Sequence, residues 1–254
     1  MWWQQYKKEL LGHRGEFLLI AGALVLWTLF LLSRVGIWSP VSIVAVYTFP
    51  AGFLPLWTLW TSVHLYRHEW RENTSYLMLS LPARGWTIAS AKLAVLLTGV
   101  LGFSLLMAAG GWLLTARAGL FTRLREIGFF SAVPMEWVIK MVLLGFAGMI
   151  ASLTVMGLLA QFAFVFSRLF SRFQGLAMVW TWVLSVWLMG RFGDIGGRLL
   201  AWLPDFHLRI LHPAEGFPEF HVVTIESGPF WALALCALGL FALLHLILER
   251  AVEV

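Results

Sequence analysis

Six long apolar runs set the rhythm of the chain: Phe17 to Ser33, Val41 to Val63, Leu93 to Thr115, Met141 to Ser167, Phe173 to Gly190 and Phe230 to Leu248. A helix that crosses the hydrocarbon core of a bilayer needs about 20 apolar residues. Each run reaches or approaches that length. The runs are apolar all round instead of alternating with period two, so they predict helices and not barrel strands. The expected fold is an all-α polytopic membrane protein: one transmembrane domain over 1–254 with six spans. The stretch Arg168-Leu169-Phe170-Ser171-Arg172 breaks the apolar sequence between the fourth and fifth spans and predicts a tight hairpin. The first run is too long for a signal-peptide core, and Arg34 to Pro40 contains Trp38 and no small-x-small site, so the first helix is expected to be retained.

Between the spans the polar pattern is uneven. Residues 1–16 place Trp2, Trp3, Tyr6 and Leu10 on one side of a helix and Gln5, Lys8, Glu9 and Gly12 on the other. This is the pattern of an interfacial helix, with aromatic rings at headgroup level and Lys7 and Lys8 meeting anionic lipid. A basic tail that only sets topology is the plainer alternative. Pro50 and Pro55 fall inside the second run, where each removes a backbone donor and predicts a kink. Two longer connections, 116–140 and 191–229, are expected on one side of the membrane. In the second, Ile195, Leu199, Leu200, Trp202 and Leu203 precede Pro204 and predict either a short interfacial helix or an irregular loop.

Composition supports the membrane class. Apolar residues make up 60% of the chain and charged residues 12%, and the mean hydropathy is +0.83, which leaves no room for an ordinary soluble domain. The 15 tryptophans fall largely near the ends of the runs, where interfacial anchoring explains them. Cys236 is the lone cysteine, so neither an intrachain disulfide nor a cysteine metal site is available. The net charge of +5 points to anionic lipid and not to nucleic acid. Around the first span, Lys7, Lys8 and Arg14 precede it and Arg34 follows it, so the positive-inside rule places both termini in the cytoplasm and residues 67–86 inside.

Chemistry-bearing patterns are sparse. His64 and His68 stand four apart with Glu69 beside them, a spacing that can hold a metal but lacks further ligands. His207, His212 and His221, with Asp205, Glu215 and Glu219, form a looser group. No H-E-x-x-H, G-x-S-x-G or G-x-x-x-x-G-K-[ST] pattern occurs, and the six apolar cores hold no acidic residue. The expected protein is not an enzyme and carries no cofactor or metal of its own.

The densest polar block is Arg67 to Arg84. Its sequence predicts a helix over 67–81 with Leu77 and Leu81 on one face, ended by Pro82, turned by Ala83-Arg84-Gly85 and returned to the interface at Trp86 and Lys92. Leucines with a hard stop, held between two spans, predict a rigid knob on which a partner outside the membrane docks. The stretch resembles the loop between the second and third helices of ABC-2 type transporter permeases of the bacitracin and lantibiotic self-protection kind. The matching residues are Glu69, Thr74, Leu77, Leu79, Leu81, Pro82, Arg84 and Lys92, with Asn73 where a glycine is usual. The overall layout of elbow helix, six spans and a longer outer loop before the last span is similar as well.

The resemblance implies that Glu69 to Arg84, including Arg71 and Glu72, forms a coupling helix seated in a cleft of a separate ABC ATPase. Arg168 and Arg172 would make a second, smaller contact. It further implies pairing with a second permease subunit, identical or different, and ATP and Mg bound by the partner ATPase. The chain would then be the cell-membrane permease half of an exporter for a lipophilic peptide, antibiotic or lipid-like substrate. A non-transporting scaffold or sensor that binds another cytoplasmic protein through 67–84 is the competing expectation.

Overall fold

The computed structural model describes residues 1–71, 85–126, 133–170, 172–213 and 218–250, with the backbone alone at 69, 71, 209–213, 218–221 and 250. The helices are α1 (Trp2–Gly12), α2 (Arg14–Leu32), α3 (Pro40–Tyr47), α4 (Phe53–Arg71), α5 (Gly85–Arg117), α6 (Leu120–Glu126), α7 (Met135–Ser167), α8 (Gln174–Leu199) and α9 (Gly228–Arg250). A 3-10 turn, Phe49–Gly52, joins α3 to α4, and an antiparallel pair, β1 (Phe206–Pro213) and β2 (Pro218–Ile225), lies between α8 and α9. Among the described residues, six helical stretches are long and apolar enough to cross a membrane: Arg14–Leu32, Pro40–His68, Gly85–Arg117, Met135–Ser167, Gln174–Leu199 and Gly228–Glu249. The protein is thus a helical, multi-pass membrane protein.

The chain forms two compact units, one of residues 1–61 with 91–154 and one of 62–90 with 155–254. In the first, the centre is aromatic: Phe17, Trp57 and Phe103 meet in tilted and edge-on arrangements with centroids 4.7 to 6.0 Å apart, and Leu54, Val100 and Leu153 close around them. Rings whose faces are electron-rich and edges electron-poor prefer this geometry. Tyr47 packs nearby with Leu31, Ile43 and Leu114 and donates its hydroxyl to the Met107 carbonyl at 2.7 Å. Gly110 and Gly111 make room for it, since a Cβ on Gly110 would strike the Tyr47 hydroxyl.

The second span is broken. Ser39 caps α3 by accepting the Ser42 N–H at 3.1 Å, with Pro40 at the first helical position. Pro50 cannot donate to the ladder and sits in the 3-10 turn, which closes through Ala51 N–H to Thr48 at 3.0 Å. Pro55 lies in the first turn of α4, where its missing N–H costs no intrahelical bond.

In the second unit, α8 and α9 pack along each other at very close range. A Cβ on Gly196 would stand 2.5 Å from that of Ala232, and one on Gly197 would stand 2.9 Å from the Pro229 ring. Small residues permit this approach, which in a bilayer supplies the dispersion contact that holds helices together. The fifth span therefore differs from its sequence expectation. It is a 26-residue helix and not a short one ending at Gly190, and Ile195 and Leu199 belong to its last turns instead of a separate interfacial helix. The connection over 191–229 holds the β-hairpin as well, and 116–140 holds α6 and the start of α7. Replacing Gly196 by leucine is expected to lower stability by about 1–3 kcal/mol through overpacking. Gly190→Leu, where no atom lies within 4 Å of an added Cβ, is expected to change it little. Unfolding of both variants in detergent micelles checks the contrast.

Candidate functional site

Of the residues expected from the sequence to dock a partner, Glu72, Thr74, Leu77, Leu79, Leu81, Pro82 and Arg84 lie outside the described residues. Glu69 and Arg71 stand in the last turn of α4. What the structure does describe is the framework on either side of 72–84, and both flanks are fixed.

On the entry side, Tyr66 and Trp70 on α4 pack against Phe164 of α7, with ring centroids 6.4 and 6.0 Å from it. The guanidinium of Arg168 stands 4.7 Å from the Phe164 centroid and 5.9 Å from that of Trp70. A cation over aromatic faces gains the attraction of the ring quadrupole. Arg168 also donates from Nη1 to the Gln174 side chain at 2.7 Å, which ties the end of α7 to the start of α8. Burial, and then the like charge of Arg67, push the Arg168 guanidinium below its ordinary pKa, although arginine stays charged at any physiological pH. Its position is therefore that of a structural clamp in the α7–α8 turn. Arg172 is exposed, and Phe173 beside it takes a left-handed backbone at φ 58° as it opens α8.

On the exit side, the Gly85 N–H donates to Glu249 Oε1 at 3.2 Å. Helix α5 begins so close to α9 that a Cβ on Gly85 would lie 2.9 Å from the His245 carbonyl and 2.9 Å from Glu249 Cγ. The first turn of α5 is thus capped by a carboxylate, the charge that suits a helix N-terminus, delivered from the far end of the sequence.

Seven residues further along α5 lies the strongest electrostatic feature. Lys92 Nζ donates to Glu9 Oε1 at 2.9 Å, with Lys92 0% and Glu9 5% exposed. Gln5 donates to the same carboxylate oxygen at 3.1 Å, and His13 Nδ1 stands 3.1 Å from the Glu9 carbonyl. Tyr6 adds a second tie: its hydroxyl is 2.9 Å from that of Thr98, and because Thr98 donates to Ala94, Tyr6 is the donor. Trp2, Trp3 and Tyr6 stack on one another, with Trp2 and Tyr6 at 5.5 Å, and the Lys7 ammonium lies 5.4 Å from the Trp3 ring. Lys8 is exposed. Helix α1 is therefore bound to α5 through Glu9, although the amphipathic pattern assigns Glu9 to the polar side. Glu9 follows Lys7 and Lys8 in the sequence, so nothing local marks it as the partner of a lysine 83 positions away.

A second carboxylate does similar work. Span two extends its contacts to Glu16, whose Oε1 accepts from Trp57 Nε1 and Thr61 Oγ1, each at 3.0 Å. Above it, at the proline break, a cavity of about 370 Å3 is lined by Leu19, Trp27, Pro50, Trp57, Phe103 and Met107 among others. Its walls are almost wholly apolar. His64 and His68 have ring centroids 6.1 Å apart, and among the described residues no group of three or more His, Cys, Asp or Glu could hold a metal ion.

Removing one member of a buried ion pair strands the other charge at a cost of about 3–5 kcal/mol. Glu9→Leu and Lys92→Met are each expected to destabilise the protein by an amount of that order. The double variant Glu9→Leu with Lys92→Met is expected to recover most of the loss. A double-mutant cycle of unfolding free energies checks this.

No family model, no curated protein and no solved structure matches the chain.

Proposed function

We propose that the chain is the membrane permease subunit of an ATP-binding cassette transporter, driven by a separate ATPase that docks on residues 69–84. The observation that carries the reading is the double anchorage of that segment. Its entry helix is clamped by Trp70, Phe164 and Arg168, and its exit helix is capped by Glu249. A segment fixed at both ends passes a partner's displacement to the helices that carry it, whereas a loose one absorbs it. The sequence of the segment adds the leucine face of Leu77 and Leu81, the stop at Pro82 and the flanking Glu69 and Arg84, which resemble the coupling loop of ABC-2 permeases.

In this reading the chain performs no bond chemistry. ATP binding by the partner favours one of two arrangements of the spans, and the chain converts that preference into exposure of a substrate site on one side or the other. ATP and Mg belong to the ATPase, and a second permease subunit completes the path. The apolar cavity at the break of the second span suits a lipophilic cargo, in keeping with export of a lipid-like molecule or apolar peptide. Both termini and the 69–84 segment then face the cytoplasm of a cell-membrane protein.

Two outcomes are expected. Glu69→Ala combined with Leu77→Ala should leave insertion and expression unchanged while transport loses its dependence on ATP; unchanged transport removes the docking role. A cysteine at position 84, in a background with Cys236→Ser, should react with a membrane-impermeant maleimide only from the cytoplasmic side of inverted vesicles.

A further inference from the structure

The β-hairpin between α8 and α9 is a described element that does not span the membrane. Its register sets Phe206 opposite Ile225 and Leu208 opposite Val223, and directly opposed residues share a face of an antiparallel pair. One face at its base is therefore continuous hydrocarbon. The other carries His207, Thr224 and Val222, with the Thr224 hydroxyl 3.4 Å from His207 Nδ1. Phe206 and Val223 are exposed and Leu208 and Ile225 half-buried, so the described residues leave this apolar face largely open. A two-stranded ribbon on its own is marginal in water.

The position of the hairpin says what covers it. Only Glu226 and Ser227 separate β2 from α9, and six residues, 200–205, separate α8 from β1. The base is pinned by the Ser227 N–H donating to Asp205 Oδ1 at 3.4 Å and by the edge-on contact of Phe206 with Phe230, 6.3 Å between centroids. The hairpin therefore leaves from the level at which the two apolar helices end. At that level Leu199, Trp202, Phe230 and Trp231 are all exposed, and exposed apolar residues on spanning helices face lipid. Tryptophan at a span end marks the headgroup boundary. The apolar face of the ribbon begins where the lipid-facing surface of α8 and α9 stops, and Phe206 on Phe230 makes the two continuous.

We infer that the hairpin is a bilayer-surface anchor, with Phe206, Leu208, Val223 and Ile225 seated in the headgroup and upper acyl region of the membrane that α8 and α9 cross. The partner is lipid, and the inference is independent of any ATPase. Lying at the surface also serves the unpaired strand edges, because the interface still holds water for their N–H and C=O groups, which the hydrocarbon core does not. The anchor fixes the tilt of the tightly packed α8–α9 pair against the membrane plane.

The test uses the full chain, in a Cys236→Ser background, reconstituted in phosphatidylcholine vesicles. Val223→Cys is labelled with a nitrobenzoxadiazole fluorophore and compared with Thr224→Cys on the opposite face. The label at 223 should emit at shorter wavelength and be quenched more by lipid bearing a shallow nitroxide than by aqueous iodide, and the label at 224 should show the reverse order. Phe206→Cys, on the same face as 223, should repeat the 223 result and guards against local damage from one substitution. Iodide quenching that exceeds lipid quenching at both 223 and 206 overturns the anchor. Protection of both sites from both quenchers also overturns it, because it shows that a second copy or another protein covers the face.

Discussion

A carboxylate or ammonium inside an apolar bundle must find its opposite or unfold what surrounds it, and this protein is organised around that constraint. Glu9 and Lys92 lie 2.9 Å apart with almost no exposure. The pair does not stabilise the fold more than well-packed leucines would, since the loss of hydration offsets most of the attraction. What it does is remove alternatives. With Lys92 buried, an arrangement that brings Glu9 of α1 onto α5 satisfies the charge, so the pair holds the register of α1 against the third span. Glu16 repeats the logic with neutral donors, gathering Trp57 and Thr61 of α4. The aromatic centre of Phe17, Trp57 and Phe103 then packs in one way.

The same principle of fixed ends governs the segment that carries the functional proposal. On its entry flank the clamp is aromatic and cationic, and on its exit flank it is a carboxylate on a helix N-terminus. The two clamps contribute stiffness, which is what the proposed coupling of this segment to an ATPase requires. The proline break of the second span supplies the opposite property: a 3-10 turn with few helix bonds, beside a cavity, is where one span can bend without tearing a hydrogen-bond ladder.

Much of this was legible in the residues, and the failures have physical causes. Apolar runs located all six spans, because hydrocarbon thickness admits few other solutions. The fifth was read too short because Arg191, Asp194 and Arg198 interrupt its hydropathy, yet a helix continues readily past the bilayer; the Arg191 guanidinium, for instance, lies 5.6 Å from the Trp187 ring one turn back. The hairpin was missed because prolines at 204, 213 and 218 read as a loop, although Phe206, Leu208 and Ile210 alternate with His207 and Arg209 as a strand requires. The Glu9–Lys92 and Gly85–Glu249 ties join residues 83 and 164 positions apart, and no local pattern reveals such a partnership. Those residues, not the exposed Arg172, carry the framework.

The central claim is that residues 69–84 form a cytoplasmic handle gripped by an ATPase, and a photo-crosslinking amino acid at position 77 in living cells tests it most directly. The account predicts a light-dependent adduct whose partner, identified by mass spectrometry, carries the phosphate-binding loop of an ATP-binding cassette. An adduct with a protein lacking that loop, or the absence of any adduct from a normally inserted chain, would contradict it.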